Sequence, residues 1–509
     1  MSRYNRRKFL KHSCLSLLSL NLIHSSCRQK EPEILKRPNI LVFMSDNHYA
    51  SHLGCYGDPV VRTPAIDRIA KGGVRFENTF CAAPSCTPAR AGYLTGQDIW
   101  RLEEGANLWG TLPKKFRTFT DMLEREGYLV GFQGKGWGPG NFADGGYKRN
   151  PAGQKYQSFE EFLKTTAENQ PWTYWYCSSD PHRPFTSGPG DTSEIDWHDV
   201  HVPPYLPDTE KVRRDMCDYY YEIQRFDKDV ADAIKKLENS GQSQNTLIVI
   251  TSDNGWMMPR GLANLYDFGT KIPLIISWNE HVPGNRVVTD FVNLNDLAPT
   301  FLELVGQKTL PEMTAKSLKK ILFSEKSGRV EADRNFVVTA RERHAFVRKN
   351  GLGYPARAIR TDDFLYIRNY EPDRWPAGDP PLFGDIDLHM LQQPTPTKEY
   401  MMLHKDDPKV KPLYELGFLK RPAEELFDLR NDPYQMNNVA DKDEYSAVKE
   451  ELSAKLFKYL KDTLDPRALG EPVIWDHTEY YEKNDFIGRP RKQARELFDL
   501  KEEYPYIND

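Results

Sequence analysis

Long apolar runs, histidine and net charge are all scarce in this 509-residue chain. Its apolar stretch around Leu15 to Ile23 is too short to span a bilayer as a stable helix. A formal net charge of -4 lacks the basic face expected of a general nucleic-acid binder. An anionic substrate stays open, because a local cluster of lysine, arginine and metal can hold an anion on a mildly acidic protein. No Cys-x-x-Cys spacing occurs, which removes the usual zinc modules. What is present is a soluble globular balance, 39% hydrophobic and 28% charged, with enough length for two domains.

The N-terminus reads as targeting rather than fold. A basic start, Arg6-Arg7-Lys8-Phe9-Leu10-Lys11, precedes the short apolar run and small residues before Cys27. The paired arginines resemble a twin-arginine export signal, with an ordinary secretory signal as the alternative. Ser25-Ser26-Cys27 also resembles a loose lipoprotein cleavage site, so a lipid on Cys27 is a candidate membrane attachment. The expectation is therefore an exported protein, periplasmic or anchored at the outer membrane and cell surface. Residues 1–27 are the signal and 28–36 a linker. Beyond them Cys55, Cys81, Cys86, Cys177 and Cys217 remain, an odd number for an oxidising compartment.

From about Pro38, short apolar runs alternate with longer helical patterns, the sign of an α/β protein with a largely parallel sheet. "NILVFMSDN" and "NTLIVITSDNG" are two buried-strand patterns that end alike, in Ser45-Asp46-Asn47 and Ser252-Asp253-Asn254. Ligands of open parallel sheets sit at the carboxyl ends of strands, so these ends could converge. Lys135 follows another strand in a glycine-rich loop. Asp180, His182 and Arg183 follow "WTYWYCSS", and Arg341, Glu342, Arg343 and His344 follow "NFVVTA". Asp or Asn after a strand is most often a turn former or helix cap. Several such ends on one edge describe an oxygen-lined pocket for a hard divalent cation, beside basic groups suited to an anion.

Elsewhere Thr63-Pro64 opens a helix that Gly72-Gly73 stops. In "APSCTPARAGYLTG" a helix is expected from Pro88 or Ala89 to Gly96. Cys86 then sits at a helix N-terminus, where free N–H groups favour an anion, with Arg90 about one turn further on. From the residues alone this cysteine could be a packed small side chain, half of a disulfide, a nucleophile, or a precursor of another group.

Cys86-Thr87-Pro88-Ala89-Arg90 followed by Leu94-Thr95-Gly96 resembles the signature of the type I sulfatases of the alkaline phosphatase superfamily. "GCYGDPVVRTPAIDRIAKGGVRFENTF", "GFQGKG", "DPHRPF", "TSDNG", "GTKIPLI" and "EELFDLRNDPYQMNNVAD" extend the likeness along nearly the whole mature chain. "SSDPHR", "NLYDFGTKIPL" and "ARAIRTDDFLYIRNY" look most like the sulfamidase branch and its bacterial relatives. The resemblance implies an alkaline-phosphatase-like, mostly parallel mixed sheet flanked by helices over residues 37–355. A smaller α+β part with an antiparallel sheet would follow over 356–509.

It also implies that a maturation enzyme, formylglycine-generating or anaerobic, oxidises Cys86 to Cα-formylglycine. One hydroxyl of its hydrate attacks sulfur and the second later expels sulfate, a release step that a serine would lack. Asp46, Asn47, Asp253 and Asn254, with the modified Cys86, match the ligands of a calcium ion (Ca2+). Arg90 would orient the nucleophile, Lys135 would bind a sulfate oxygen, and His182 would contact the ester and protonate the leaving group.

Three positions depart from the pattern. Asn47 replaces an aspartate, Trp137 a histidine, and Leu262 a sulfate-binding cation. His48 is a candidate for the missing imidazole and Arg260 for the missing cation. Trp137 is a candidate for stacking on a sugar. Asp180, Arg183, Glu342, Arg343 and His344 are candidates for other substrate contacts. The resemblance implies a sulfated carbohydrate substrate, of heparan or algal ulvan type, and no nucleic acid. Two alternatives remain: a phosphatase or phosphodiesterase of the same superfamily, and a catalytically impaired glycan-binding relative.

Overall fold

The computed structural model describes residues 37–186, 188, 195–279, 281–387, 394–482 and 492–497. The expected export signal and linker, with Cys27, lie outside them. From Pro38 onward the chain forms one compact unit built on two sheets.

The larger sheet is made from β1 (Asn39–Ser45), β2 (Val74–Phe80), β3 (Leu129–Gly134), β4 (Gln154–Lys155), β5 (Trp172–Cys177), β6 (Thr246–Ser252), β7 (Leu274–Ser277) and β8 (Arg286–Asn293). Their spatial order is β4-β3-β5-β1-β6-β7-β2-β8. All neighbours run parallel except β7, which is antiparallel to both β6 and β2. β1 lies centrally and is buried along its length. Its alternation explains why it reads as an unbroken apolar run. Leu41 and Phe43 enter one core, whereas Ile40, Val42 and Met44 enter the core on the opposite face.

Helices cover both faces. α1 (Pro64–Lys71), α4 (Phe159–Thr165) and the 30-residue α5 (Glu210–Asn239) supply the first core. α2 (Cys86–Thr95), α3 (Phe119–Arg125) and α6 (Leu297–Leu304) supply the second. α1 runs over the expected residues, with Pro64 in its first turn. Its entry is fixed differently from a simple cap: the Thr63 hydroxyl donates to Asp67 Oδ1 at 3.0 Å.

The second sheet is antiparallel, in the order β12-β11-β10-β9, from β9 (Phe336–Arg341), β10 (Ala356–Thr361), β11 (Phe364–Asn369) and β12 (Glu424–Asp428). It begins with β9, ahead of residue 355, where the sequence places the boundary. α7 (Ser446–Asp462) packs Leu452, Leu456 and Leu460 onto Val338, Ile359, Tyr366 and Leu426 of this sheet. "ELFDL" occurs twice in the sequence, at Glu425–Leu429 and Glu496–Leu500. The first copy lies largely on β12, whereas Glu496 and Leu497 of the second lie on a helix.

Candidate active site

β1 and β6 pair in parallel with Ser45 opposite Ser252, so the two Ser-Asp-Asn ends leave the sheet side by side. Backbone and side-chain hydrogen bonds knit them together. The Asn47 N–H donates to Asp253 Oδ1 at 3.2 Å, and the His48 N–H donates to the Asn254 carbonyl at 2.9 Å. Asn47 takes a left-handed conformation, φ 64°, which asparagine tolerates better than most side chains. From the other side of β1 the Asp46 N–H donates to the Asp180 carbonyl at 2.9 Å.

α2 begins at Cys86, two or three residues earlier than the sequence suggests, and ends on Gly96 in a left-handed cap. Its first residue thus faces the two strand ends. The Cys86 thiol lies 3.4 Å from Asp46 Oδ1 and accepts from Asn254 Nδ2 at 3.8 Å. Arg90, one turn on, donates to Asp253 Oδ2 at 2.8 Å, Asp46 Oδ2 at 3.3 Å and the Gly136 carbonyl at 2.7 Å. Lys135 Nζ lies 2.7 Å from Asp46 Oδ2. Gly134 allows that approach, because its φ is 74° and a Cβ there would meet the Cys177 carbonyl at 1.9 Å.

Charge in the site is dense and nearly all buried. Burial opposes ionisation of Asp46, yet Lys135, His182 and Arg90 together hold its carboxyl well below the usual range. Burial likewise opposes the Arg90 charge, and Asp253 and Asp46 outweigh it. Burial pushes the Cys86 thiol well up, and the carboxylates of Asp253 and Asp46 push it further. A bare thiolate is therefore disfavoured at this place. None of the five cysteines among the described residues forms a disulfide, Cys86 included.

The donor set suits a hard divalent cation. Asp46, Asn47, Asp253 and Asn254 offer side-chain oxygens, and Asn254 Oδ1 is buried without a hydrogen-bond partner. Asp46, Cys86 and His182 present ligand atoms within 4.8 Å of one another. Among the described residues this is the one metal-sized cluster of its kind, whereas a two-zinc phosphatase needs a second.

Cys86, Lys135 and His182 open into a cavity of about 280 Å³, which Leu262, His344 and Asp387 also line. Lys135 and His182 face a second, open groove of about 1020 Å³ as well, bordered by Tyr221, Arg225 and Lys228 of α5. His182 pairs its Nδ1 with the Arg183 carbonyl, and burial lowers its proton affinity. His344 accepts or donates through Nδ1 with the Ser85 hydroxyl at 2.9 Å, and burial takes its pKa down to about 4.

Several expected contacts are placed elsewhere. His48 does not replace the missing imidazole: Nε2 is held by the His52 carbonyl at 3.1 Å and Nδ1 by the Ser45 hydroxyl at 3.2 Å. Trp137 is 2% exposed and packs in the core beside Gly140, outside the cavity lining, so it offers no face to a sugar. Arg260 is not the replacement cation. It lies over the Tyr266 ring and donates to the carbonyls of Leu416 and Gln435. Leu262 itself faces the cavity.

Asp180 is clamped by Arg225 at 2.6 and 2.9 Å. Arg183 is locked between Asp215 and Asp387. Glu342 pairs with Arg357 and Arg467, both at 2.7 Å. Arg343 holds the carbonyls of Thr478 and Glu479. Each of these four side chains is committed to protein partners, although Asp180 also borders the open groove shared with Lys135 and His182. Trp109, Asp387, Tyr480 and Glu482 line the cavity without any motif to announce them, since they come from loops far from the strand ends.

The sulfatase family model matches residues 38–307, and the model for the C-terminal region of N-sulphoglucosamine sulphohydrolase matches 254–379. An ulvan-active sulfatase of Formosa agariphila is 26% identical, over 88% of this chain and 86% of its own. Human N-sulphoglucosamine sulphohydrolase is 26% identical, over 89% of this chain and 94% of its own. A solved protein in complex with its substrate D-glucosamine-2-N,6-O-disulfate superposes with a TM-score of 0.63 at 20% identity. That match covers 87% of this chain and all of the other.

Proposed function

The chain belongs to the sulfatase family and is a sulfuric ester hydrolase, and we propose that it works on a sulfated saccharide through a formylglycine made from Cys86. The single observation that carries this reading is the position of Cys86. It opens α2, is buried, and faces both Ser-Asp-Asn ends with Arg90 bridging their carboxylates.

The four side-chain oxygens of Asp46, Asn47, Asp253 and Asn254 would hold a calcium ion. Calcium would supply charge neutralisation, and an aldehyde hydrate at position 86 a nucleophilic hydroxyl with a second one for release. This chain's own residues do the rest. Arg90 fixes Asp46 and Asp253 relative to the helix that carries position 86. Lys135, partly exposed to the cavity, draws one sulfate oxygen toward that position and screens the growing charge. His182 carries its neutral-ring proton on Nδ1, toward the Arg183 carbonyl. Its Nε2 is therefore the atom that can take a proton and return it to the departing sugar oxygen or nitrogen. Leu262 and Met257 line the same cavity and limit water around the ester.

A substrate of heparan or ulvan type, sulfated on oxygen or nitrogen, is supported by two relatives. One is the ulvan-active sulfatase and the other the N-sulphoglucosamine sulphohydrolase. Export to the periplasm or cell surface and maturation by a formylglycine-generating or anaerobic sulfatase-maturing enzyme complete the reading.

Peptide mass spectrometry across Cys86 of protein expressed in an exporting host, with calcium present, tests it. An aldehyde at position 86 together with sulfate release from a panel of O- and N-sulfated sugars is expected. A thiol or disulfide in every fraction would sink the mechanism.

A further inference from the structure

Asp387 stands out in the wall of the catalytic cavity. Its side chain is 1% exposed, and its backbone is held at φ 52°, a conformation that costs a non-glycine residue free energy. Arg183 Nε lies 2.6 Å from its Oδ2 as an ion pair, and neither carboxylate oxygen has a hydrogen-bond partner. Arg183 cannot turn to serve Oδ1. Its two terminal nitrogens are fixed on Asp215 of α5 at 2.9 and 2.7 Å, and its plane lies 4.0 Å from the centre of the Phe185 ring. The Thr397 hydroxyl in turn donates to Asp215 Oδ2 at 2.6 Å. A rigid chain of groups therefore holds an unsatisfied carboxylate in the wall of the cavity that Cys86, Lys135 and His182 also line. Buried acceptors without partners are uncommon, and at a cavity wall a ligand can supply the missing donor.

We propose that Asp387 Oδ1 recognises the substrate sugar, accepting a hydrogen bond from a hydroxyl or amino group of the ring whose sulfate lies between Lys135 and position 86. Arg183 is the positioning residue that aims it. This inference rests on the sulfatase reading and narrows its substrate class to sulfated neutral sugars and amino sugars.

The charges of the described residues around the cavity disfavour sulfated uronates. Glu482 adds a second carboxylate to the wall, held by the Tyr480 hydroxyl at 3.0 Å. The nearby arginines are unavailable to a carboxylated sugar: Arg341 and Arg348 both pair with Asp385, and Arg343 is bound to backbone carbonyls. Among the described residues Lys135 is the one lysine or arginine that lines the cavity, at its sulfate end. A uronate carboxylate would meet like charges there, and such juxtapositions discriminate strongly.

The test uses full-length enzyme whose aldehyde at position 86 has been verified, with calcium at pH 8. That pH is above the value of about 7 to which burial raises Asp387. The values of kcat/KM are compared for glucosamine 6-sulfate, galactose 6-sulfate, a 2-sulfated glucuronate and 4-nitrophenyl sulfate. The wild type is expected to favour the better of the first two over the uronate at least about a hundredfold. Asp387→Asn is expected to lower kcat/KM on that sugar at least about tenfold, mainly through KM. Its loss on 4-nitrophenyl sulfate, which has no sugar hydroxyl, is expected to be at least threefold smaller. The wild-type comparison stands even if the variant does not fold. Equal losses on sugar and aryl sulfate, or preference for the uronate, overturn the inference alone. No turnover of any sulfate by aldehyde-bearing enzyme overturns the sulfatase reading and this inference with it.

Discussion

Arg90 Nε lies 2.8 Å from Asp253 Oδ2, and neither side chain is exposed. The same guanidinium reaches Asp46, so one cation bridges the ends of two strands that meet only through the fold. Removing one partner of a buried ion pair costs about 3–5 kcal/mol, because the other is left uncompensated. Arg90→Ala is therefore expected to lose stability in that range in urea denaturation with a chelator present. Calcium would return part of it by linkage, since the ion then answers the same carboxylates. Equal stability of variant and wild type in chelator would show that Arg90 does not hold the strand ends.

Asn47 offers an amide oxygen where a second aspartate would bring charge, and its Nδ2 is buried without a partner. Affinity for calcium rises with the number of ligand charges in a rigid site. Asn47→Asp is expected to tighten calcium binding about fivefold or more by titration calorimetry. Weaker binding would mean that residue 47 does not face the ion.

Leu262 faces the cavity shared by Lys135 and Cys86, and Arg260 is turned away. The sulfate end is thus short of one cation. Leu262→Lys is expected to lower KM for a sulfated sugar and the inhibition constant of inorganic sulfate, each about tenfold, by a charge-assisted hydrogen bond. If neither constant moves, the new ammonium has snorkelled away from the sulfate position.

His52 packs against Trp256 and Tyr220, and burial lowers its pKa to about 3. An unfolded histidine titrates near 6.5, so between these values the unfolded chain binds the extra proton. The stability this group contributes is complete above pH 6.5 and is lost as pH falls toward 3, at up to about 1.4 kcal/mol per pH unit. His52→Gln is expected to flatten the acid limb of the stability curve by one proton between pH 6 and pH 4. An unchanged slope would place the acid sensitivity in other groups.

Some of this site is legible in the sequence for a physical reason. A buried parallel strand must be apolar throughout, so its polar terminus stands out, as at Asp46 and Asp253. Cys86 and Arg90 are legible because helix geometry ties residues one turn apart to one spot. Lys135 and His182 follow directly from strand ends in the same way. Partners are not legible. Nothing in "DPHRPF" says that Arg183 meets Asp215 and Asp387 rather than a sugar, because both partners lie more than thirty positions away. Trp137 fails for a related reason, since an aromatic side chain in a loop can fill a core as well as a cavity wall. The end of β9 and the residues after it have two fates at once: Arg341 and Glu342 turn inward to ion pairs, and His344 reaches the cavity.

Glu342 settles which fate matters for catalysis. It accepts from Arg467 at 3.1 and 2.7 Å and pairs with Arg357, which also holds Asp465 at 2.7 Å. This network ties β9 and β10 to the chain that follows α7, and none of it lines the cavity. Replacing the carboxylate leaves two arginines short of a partner, one of them fully buried. Glu342→Gln is expected to destabilise by about 3 kcal/mol in urea unfolding while kcat/KM on the preferred sugar changes less than about twofold. A selective rise in KM at unchanged stability would instead restore Glu342 as a substrate contact. Both are read from one preparation, so a stability loss cannot be mistaken for a binding loss.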